Sequence, residues 1–419
     1  MSRDFWKFWT AQTVSNLGSS FTQFAFPLLV YRLTGDPVSL GVATAATFLP
    51  YLLFGLLLGA WMDRVDRKRA MIALEWINAA VILSVPLVAE FGHLTVWWIY
   101  VVTFIQSTIF IAFSAGEFAA IPSLVGTDDL VTANGRIQAS YSAAQVAGPL
   151  LAGALIFWLP LTWVLAVDSA SFVFSALLLA TIRTRFNVDH EAKEPTTILH
   201  DMREGLRYVL SHPVLRNISF MMALINFVGA STYAQLVLFA DRRLDTRAGW
   251  KIALLFAAGS AGVVVTGLLA GRLRRRFSFT ALAMTSLMLM GLLTIVFAGM
   301  RWYWIALPIW AAQSGLGILF NINTGSLRQA IVPNQMLSRV LSIAGVLAWS
   351  AIPAGALVGG WVVKATGDVA LVYGGIGLLT ILIAAFFRFF TALGDAQRYV
   401  DERKAEEERL AGEAIAAQA

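Results

Sequence analysis

The sequence contains no cysteine, so disulfide bonds and thiol chemistry are both excluded. Charged side chains are also scarce: they make up 13% of the 419 residues, whereas soluble domains carry about 25%. This scarcity excludes a soluble globular protein, a disordered chain and a coiled coil, and it argues against a nucleic-acid partner. The four histidines, at positions 93, 190, 200 and 212, lie in predicted loops without metal-ligand spacing. No phosphate-binding Gly-Lys-Ser/Thr loop is present, and we predict no cofactor, no metal site and no enzymatic activity.

What the chain does contain is long apolar runs. Hydrophobic residues account for 58% of it, and a membrane-spanning helix needs about 20 mostly apolar residues. Such runs distinguish a helical membrane protein from an outer-membrane barrel, whose strands give only short alternating segments. We therefore predict an all-α membrane protein with twelve transmembrane helices. The predicted spans are 10–32, 39–62, 70–90, 95–124, 138–158, 161–182, 214–240, 250–272, 279–299, 302–326, 340–363 and 370–392.

Lysine and arginine are distributed unevenly between the predicted loops. With the N-terminus placed in the cytoplasm, most of the 31 Lys and Arg residues fall on the cytoplasmic side, as the positive-inside rule requires. We therefore predict a multi-pass protein of a bacterial-type cytoplasmic (inner) membrane, with both termini cytoplasmic. One loop departs from the rule, because the segment from Asp241 to Lys251 carries four cations on the predicted outer side. Contact with anionic lipid or with substrate is one interpretation of this loop.

The sequence repeats itself at one constant offset. The residues that coincide include Gly55 with Gly262, Arg67 with Arg274, Gln106 with Gln313, Phe113 with Phe320, and Gly148 with Gly355. Because each half holds six spans, the halves share one orientation and are related by an axis along the membrane normal. We predict two six-helix bundles, 1–182 and 214–393, and a cytoplasmic tail at 394–419. The linker, 183–213, contains an amphipathic stretch from Ile198 to Leu210 that is predicted to lie at the membrane surface.

The loop after the second span carries the first motif that points to a family. Residues 59–69 read Gly-Ala-Trp-Met-Asp-Arg-Val-Asp-Arg-Lys-Arg, and this segment resembles the signature between helices 2 and 3 of the major facilitator superfamily. The resemblance implies that Asp63, Arg64 and Arg67 latch the cytoplasmic side while the transporter's cavity opens outward. Asp66 stands where the family pattern has a second glycine. The alternative is that these cations only set the topology.

The fifth span carries a second family motif. Residues 144–153 read Ala-Gln-Val-Ala-Gly-Pro-Leu-Leu-Ala-Gly and resemble the Gly-Pro motif in helix 5 of antiporter branches. Gly148, Pro149 and Gly153 are therefore predicted to form a gate helix, because small residues permit close packing and proline favours a bend. Ordinary close packing is the alternative. Residues 121–125 and 204–208 resemble the drug:proton antiporter branch that includes macrolide-type and enterobactin-type exporters.

Polar residues inside the predicted spans are the candidate site, because intramembrane charges are costly and usually face a cavity or a partner. Glu117 shares a face of span 4 with Gln106, and we predict that it binds a cationic substrate or carries a coupling proton; pairing with a cytoplasmic-end cation is the alternative. Asp168 in span 6 is a second candidate, for which a structural hydrogen bond is favoured. Glu75 and Asn78 are assigned to packing or an inner-leaflet contact. The other candidates are Gln12, Asn16, Ser19, Gln23, Asn226, Tyr233, Gln313 and Asn321.

Together with the motifs, these residues predict a secondary active efflux transporter with the major facilitator fold. The resemblance implies alternating access, with export of a moderately hydrophobic small molecule (a drug, macrolide or siderophore-like compound) in exchange for protons. The predicted partners are this substrate, protons and membrane lipid, with no nucleic acid, and we expect a monomer. Two alternatives remain open: a uniporter or a lipid or metabolite transporter on the same fold, and a non-transporting membrane sensor.

Overall fold

The computed structural model describes residues 1–126, 129–187, 198–402 and 409. Within these residues the chain forms helices and no strands, which confirms the predicted all-α class. Its helices are α1 (Arg3–Thr34), α2 (Pro37–Met62), α3 (Arg67–Glu90), α4 (Val96–Val125), α5 (Leu130–Leu155), α6 (Leu161–Ala180), α7 (Ile198–Ser211), α8 (Pro213–Ala234), α9 (Leu236–Arg242), α10 (Gly249–Arg274), α11 (Phe279–Ala298), α12 (Tyr303–Ile331), α13 (Asn334–Trp349), α14 (Ala351–Thr366) and α15 (Val369–Phe390). Part of the predicted linker, 188–197, and most of the predicted tail, 403–408 and 410–419, lie outside the described residues.

Polar side chains begin several helices, where the first backbone N–H groups lack a partner within the helix. The Ser2 hydroxyl accepts a hydrogen bond from the Phe5 amide, 3.0 Å away, at the start of α1. The Asp36 carboxylate accepts one from the Ser39 amide at 3.2 Å, and Pro37 occupies the first position of α2. The helix therefore starts two residues before the predicted span, because its cap and its proline precede the apolar run.

Ten helical segments of the described residues are long and apolar enough to cross a membrane. They include the paired segment 340–366, which spans parts of α13 and α14. The other two predicted spans correspond to α1 and α5, which are 32 and 26 residues long. Both have sufficient length, but they carry many of the polar residues of the cavity described below. The amphipathic helix predicted in the linker is observed as α7.

Two predicted spans are each broken into two helices. Span 7 divides into α8 and α9 at Gln235, and span 11 divides into α13 and α14 at Ser350. Pro353 accounts for the second break, because its missing N–H leaves the carbonyl of Trp349 without a helical donor. At the first break, the buried Gln235 side chain donates a hydrogen bond to the carbonyl of Pro37 in α2, 2.8 Å away. This bond ties the first break to the other half of the molecule.

Helix packing divides the spans into two bundles. In the first bundle, α1 and α3 pack on α6 and α2 packs on α4; in the second, α10 and α11 pack on α12 and α11 packs on α15. The bundles meet along two helix pairs, α2 with α14 and α5 with α10. At the first of these contacts, a Cβ atom at Gly41 would lie 2.5 Å from the carbonyl oxygen of Ala356. The backbones therefore approach more closely than a larger residue would allow.

The bundles are joined at the side of the molecule where α1 ends. We call this the opposite side, and the side where α1 begins and α15 ends the terminal side. Asp241 in α9 accepts hydrogen bonds from the Tyr31 hydroxyl of α1 and from Nε of Arg247, the latter at 2.8 Å. In the same loop, Arg243 donates to a backbone carbonyl at the end of α11, and Lys251 lies over an aromatic ring. Three of the four cations in the segment from Asp241 to Lys251, which departs from the positive-inside rule, therefore have protein partners.

A second contact at the opposite side is an ion pair between Asp36 and Lys364, whose N···O distance is 3.1 Å. Burial alone would raise the pKa of Asp36, but the neighbouring Lys364 ammonium and the hydrogen bonds of the helix cap outweigh it and hold the pKa below its ordinary value. The contribution of this pair to closure is therefore fully present at neutral pH. It is lost only as the pH falls through the lowered pKa of the folded protein.

We expect Asp241→Asn to open the opposite side more often. The change removes the charge from the hydrogen bonds of Tyr31 and Arg247, and charge-assisted bonds worth about 1.5 kcal/mol shift a two-state equilibrium roughly tenfold. Because the chain has no cysteine, Ser19→Cys supplies a single thiol in the cavity. In intact cells, a membrane-impermeant maleimide should label this cysteine faster when Asp241→Asn is combined with Ser19→Cys than when Ser19→Cys is present alone. The control is Asp245→Asn, which changes the same charge in the same loop; equal labelling in both variants would contradict the expectation.

Candidate functional site

A cavity of about 500 Å³ lies between the two bundles. Its wall is built mainly by α1, α2, α4 and α5 of the first bundle. Among the described residues, the second bundle contributes only Tyr233, Ala234, Phe256 and Ser260. Below the contacts of Asp241, the rings of Phe24 and Phe256 meet edge to face, with centroids 5.8 Å apart. The cavity is therefore sealed toward the opposite side.

The polar stripe of α1 faces the cavity. Gln12, Asn16, Ser19 and Gln23 all line it. The Gln23 side-chain oxygen accepts a hydrogen bond from Gln145 of α5, 3.3 Å away. Gln12 is only 2% exposed, and its Nε2 has no hydrogen-bond partner among the described residues. A buried donor without a partner costs free energy, so Gln12 is suited to bind a ligand or water in the cavity.

Glu117 and Gln106 of α4 line the same cavity. Oxygen Oε1 of Glu117 is buried and has no hydrogen-bond partner in the described part of the chain. None of the described Lys and Arg residues lines the cavity, whereas aromatic residues such as Phe110 do. Described Asp, Glu and His residues form no group of three or more suited to a metal ion. The wall therefore presents an unpaired carboxyl, to which a cation or a proton would bind.

Glu75 of α3 is a second carboxyl on the cavity wall, and of the two roles predicted for it, packing or an inner-leaflet contact, its hydrogen bonds favour packing. Glu75 is 2% exposed, and its Oε1 accepts hydrogen bonds from Ser175 of α6 at 2.7 Å and from Ser15 of α1 at 3.5 Å. Asn78 lines the cavity beside it, with Oδ1 unpartnered among the described residues. The available signal was the spacing of three residues between Glu75 and Asn78, which places both on one helix face.

Asp168 of α6 lies behind the wall rather than on it. Its side chain is fully buried and accepts hydrogen bonds from the hydroxyls of Thr22 in α1 and Ser171 in its own helix. Gly18 of α1 leaves room for the carboxyl, since a Cβ there would lie 2.7 Å from Oδ1 of Asp168. This arrangement braces α1 against α6 and favours the structural alternative.

The candidates in the second half lie mostly away from the cavity. Tyr233 lines it. Asn226 instead donates to the carbonyl of Ala348 at 2.8 Å, and Asn321 donates to a carbonyl one turn earlier in α12. Gln313 is buried where α12 packs on its neighbours, and its Oε1 has no partner within the described residues. The polar lining therefore comes almost entirely from the first bundle.

The predicted latch residues pair within the first bundle. Nη2 of Arg67 lies 2.9 Å from Oδ1 of Asp63, and Nη1 of Arg67 donates to the carbonyl of Phe186 beyond α6 at 3.4 Å. The amide of Arg67 donates to Asn187 at 3.0 Å. Asp63 remains 70% exposed at its side chain, and Arg64 is exposed as well. At the terminal side, Asp63 is therefore accessible to a further partner.

The predicted gate helix, α5, contacts both bundles closely. Gly148 packs directly on the Ser20 side chain of α1, where a Cβ would overlap it. Five residues further, a Cβ at Gly153 would lie 2.5 Å from the Cβ of Ala253 in α10. Pro149, between them, lines the cavity. A rotation of α5 would therefore alter the wall and the contact between the bundles together.

Comparison with known sequences places this architecture in a family. Residues 2–414 match the family model described as transmembrane secretion effector. Macrolide efflux protein A of Streptococcus pyogenes is 28% identical over 357 residues, covering 84% of this chain and 87% of the relative. The multidrug efflux pump Tap of Mycolicibacterium fortuitum is 24% identical over 373 residues, covering 85% and 88%.

Solved structures match the fold at low identity. The nucleoside transporter NupG matches with a TM-score of 0.76 at 13% identity, covering 92% of this chain and 98% of the other. A bacterial homologue of the human lysosomal transporter Spinster, in an inward-facing and unoccupied conformation, matches with a TM-score of 0.72 at 14% identity, covering 96% and 99%. The resemblance to the major facilitator superfamily is thereby confirmed. The chain belongs to the transmembrane secretion effector family and is a membrane transporter of the major facilitator type, not an enzyme.

Proposed function

We propose that the protein exports a moderately hydrophobic, cationic small molecule in exchange for protons. The observation that carries this proposal is Glu117, whose buried Oε1 lacks a partner among the described residues in a cavity that no described Lys or Arg lines. Its carboxylate would attract a cationic group, while aromatic residues such as Phe110 and Tyr233 would contact the apolar body of the substrate. Gln12 and Asn78 offer a further donor and acceptor.

The relatives support export and the substrate class. Both macrolide efflux protein A and the multidrug efflux pump Tap are named for efflux, and the chain matches more than four fifths of each. A cavity of about 500 Å³ with a largely aromatic and apolar wall suits a drug-sized molecule. The chain would work as a monomer surrounded by lipid in a bacterial inner membrane, with both termini in the cytoplasm.

The contacts at the two sides support alternating access. Asp241 and Tyr31 join the bundles at the opposite side, whereas Asp63 and Arg67 pair within one bundle at the terminal side. With cytoplasmic termini, this arrangement is an inward-facing state that receives substrate from the cytoplasm. In the outward-facing state, the contacts of Asp241 would break and Asp63 would hold the terminal side closed.

Reconstitution tests this function. Purified protein in proteoliposomes receives erythromycin or the permanent cation tetraphenylphosphonium, while an internal dye reports the pH. We expect probe accumulation driven by a proton gradient, and proton movement that starts on probe addition. Probe flux without proton movement would identify a uniporter instead. Transfer of a labelled phospholipid without probe flux would identify a lipid transporter, and absence of flux with every compound would favour a sensor.

A further inference from the structure

Glu75 occupies a position that differs from those of the other two intramembrane carboxyls. It is nearly inaccessible, at 2% exposure, and hydroxyls from two other helices, Ser15 in α1 and Ser175 in α6, donate to its Oε1. Unlike Asp168, it nevertheless forms part of the cavity wall. Unlike Glu117, it already has hydrogen-bond partners for its buried oxygen. Glu75 is thus connected to the cavity but closed to a bulky ligand.

We propose that Glu75 binds the transported proton, and that the cationic substrate binds at Glu117, so that the two ligands use separate carboxyls. This assignment rests on the proposed proton antiport. A proton needs no space and can reach Glu75 through the cavity, which Glu75 and Ser15 both line. A drug-sized cation cannot replace the two hydroxyl donors without separating α1 from α6. It fits the accessible side of the cavity, where Glu117 has an unpartnered oxygen among the described residues.

Charge provides the coupling between the two sites. Glu75 and Glu117 both line the cavity, and the carboxyl of Asp168 is buried behind its wall. Among the described residues, no ion pair gives any of these three carboxyls a basic partner. Several negative charges in one low-dielectric wall repel each other. A substrate cation at Glu117 and a proton at Glu75 therefore substitute for each other in neutralising this wall, which is the requirement for exchange.

The hydrogen bonds of Glu75 connect the proton to helix movement. Hydrogen bonds to an ionised carboxylate are roughly twice as strong as those between neutral groups. An ionised Glu75 therefore holds Ser175 of α6 against α3, and the more distant Ser15 of α1 more weakly, and protonation weakens both bonds. Tyr31, further along α1, bonds Asp241 at the closed opposite side. Proton binding at Glu75 thus acts on the helix that joins the two bundles there.

The test compares Glu75→Gln with Glu117→Gln and with Glu90→Gln. Glutamine keeps an Oε1 acceptor for both hydroxyls of Glu75, so the variant should fold. Glu90 lies exposed at the other end of α3, where Trp163 donates to it at 2.6 Å, and it supplies the same substitution outside the cavity. Three quantities are measured with tetraphenylphosphonium in proteoliposomes or detergent: its Kd, its exchange across the membrane without a gradient, and the proton movement that it causes.

We expect Glu75→Gln to bind the probe about tenfold more weakly than the parent protein, because it lacks one of the charges that the cation neutralises, and still to exchange it, while its proton movement falls more than about tenfold. Glu117→Gln should instead lose binding, and Glu90→Gln should match the parent. Proton movement retained by Glu75→Gln would overturn the inference, and so would coupling in the parent protein that requires sodium. If the parent protein transports the probe without protons, the proposed antiport itself is refuted, a result visible before any variant is compared.

A spectroscopic measurement covers the case in which Glu75→Gln fails to fold. Infrared difference spectroscopy detects the C=O stretch of a protonated carboxyl and needs no reagent that must enter the site. We expect tetraphenylphosphonium to remove a carboxyl C=O band from the unmutated protein, because the probe favours proton release, and Ser175→Ala to shift that band, because Ser175 donates to Glu75. No loss of a carboxyl band on probe addition, or a band that Ser175→Ala leaves unshifted, would overturn the inference.

Discussion

Replacing Glu117 with glutamine should abolish transport of tetraphenylphosphonium. The substitution keeps the volume of the side chain but removes its negative charge from the cavity wall. The carboxyl that is lost is the one whose Oε1 has no hydrogen-bond partner among the described residues. Removing one member of a desolvated charge pair costs at least about 2 kcal/mol, which weakens the Kd of the probe roughly 30-fold. The measurement is binding of the labelled probe to purified protein, followed by its accumulation in proteoliposomes.

The matched control is Glu117→Asp, which keeps the charge and shortens the side chain by one methylene group. We expect it to retain measurable binding, with a Kd between those of the parent protein and Glu117→Gln. If Glu117→Gln bound the cation as tightly as Glu117→Asp did, charge at this position would have no role in substrate recognition. The proposal that the cavity selects cations would then fail.

Asp63→Asn should stop transport while leaving the stability of the protein unchanged. The observed pair of Asp63 and Arg67 is largely exposed at its carboxylate, and an exposed ion pair contributes at most about 1 kcal/mol. The substitution should instead destabilise the outward-facing state, in which Asp63 is expected to hold the terminal side closed. We expect efflux to fall more than about tenfold, with the protein held inward-facing. Maleimide labelling of Ser19→Cys from outside intact cells should fall with it.

Asp66→Asn provides the control for this prediction. Asp66 lies three residues away in the same loop, and its side chain caps α3 by accepting from the Arg69 amide at 2.9 Å. Asparagine caps a helix about as well as aspartate does, so this variant loses a charge from the same loop but keeps the local structure. If Asp66→Asn lowered efflux as much as Asp63→Asn does, the total charge of the loop would matter, and the latch assigned to Asp63 would be contradicted.

Hydropathy was sufficient to predict most of the spans, because a membrane imposes length and apolar composition on them, and the internal repeat and the two motifs predicted how they are arranged. Hydropathy did not predict the breaks at Gln235 and Ser350. The first is stabilised by a bond from Gln235 to a carbonyl of α2, which is distant in the sequence. The second follows from Pro353, a local feature within an otherwise continuous apolar run.

Helical spacing predicted which residues share a face, but not the direction in which that face points. The spacing on α1 and α4 put Gln12 and Glu117 on polar faces, and both face the cavity. The same reasoning for the second half placed Gln313 and Asn321 there, whereas packing turns them to other partners. Glu75 was assigned to packing or an inner-leaflet contact, and its place on the cavity wall was not predicted, because the rotation of α3 about its axis depends on contacts with α1 and α6.

The unequal division of the cavity wall has a thermodynamic consequence. Contacts with the first bundle would move with the substrate as a rigid body and contribute the same free energy before and after the bundles rotate. A ligand that binds two states equally does not shift the equilibrium between them. If the bundles rotate, the contacts that change are those with the second bundle, whose described residues on this wall are Tyr233, Ala234, Phe256 and Ser260. Most of the affinity would then come from one bundle, while the preference of a bound substrate for this conformation would come from these four residues of the other.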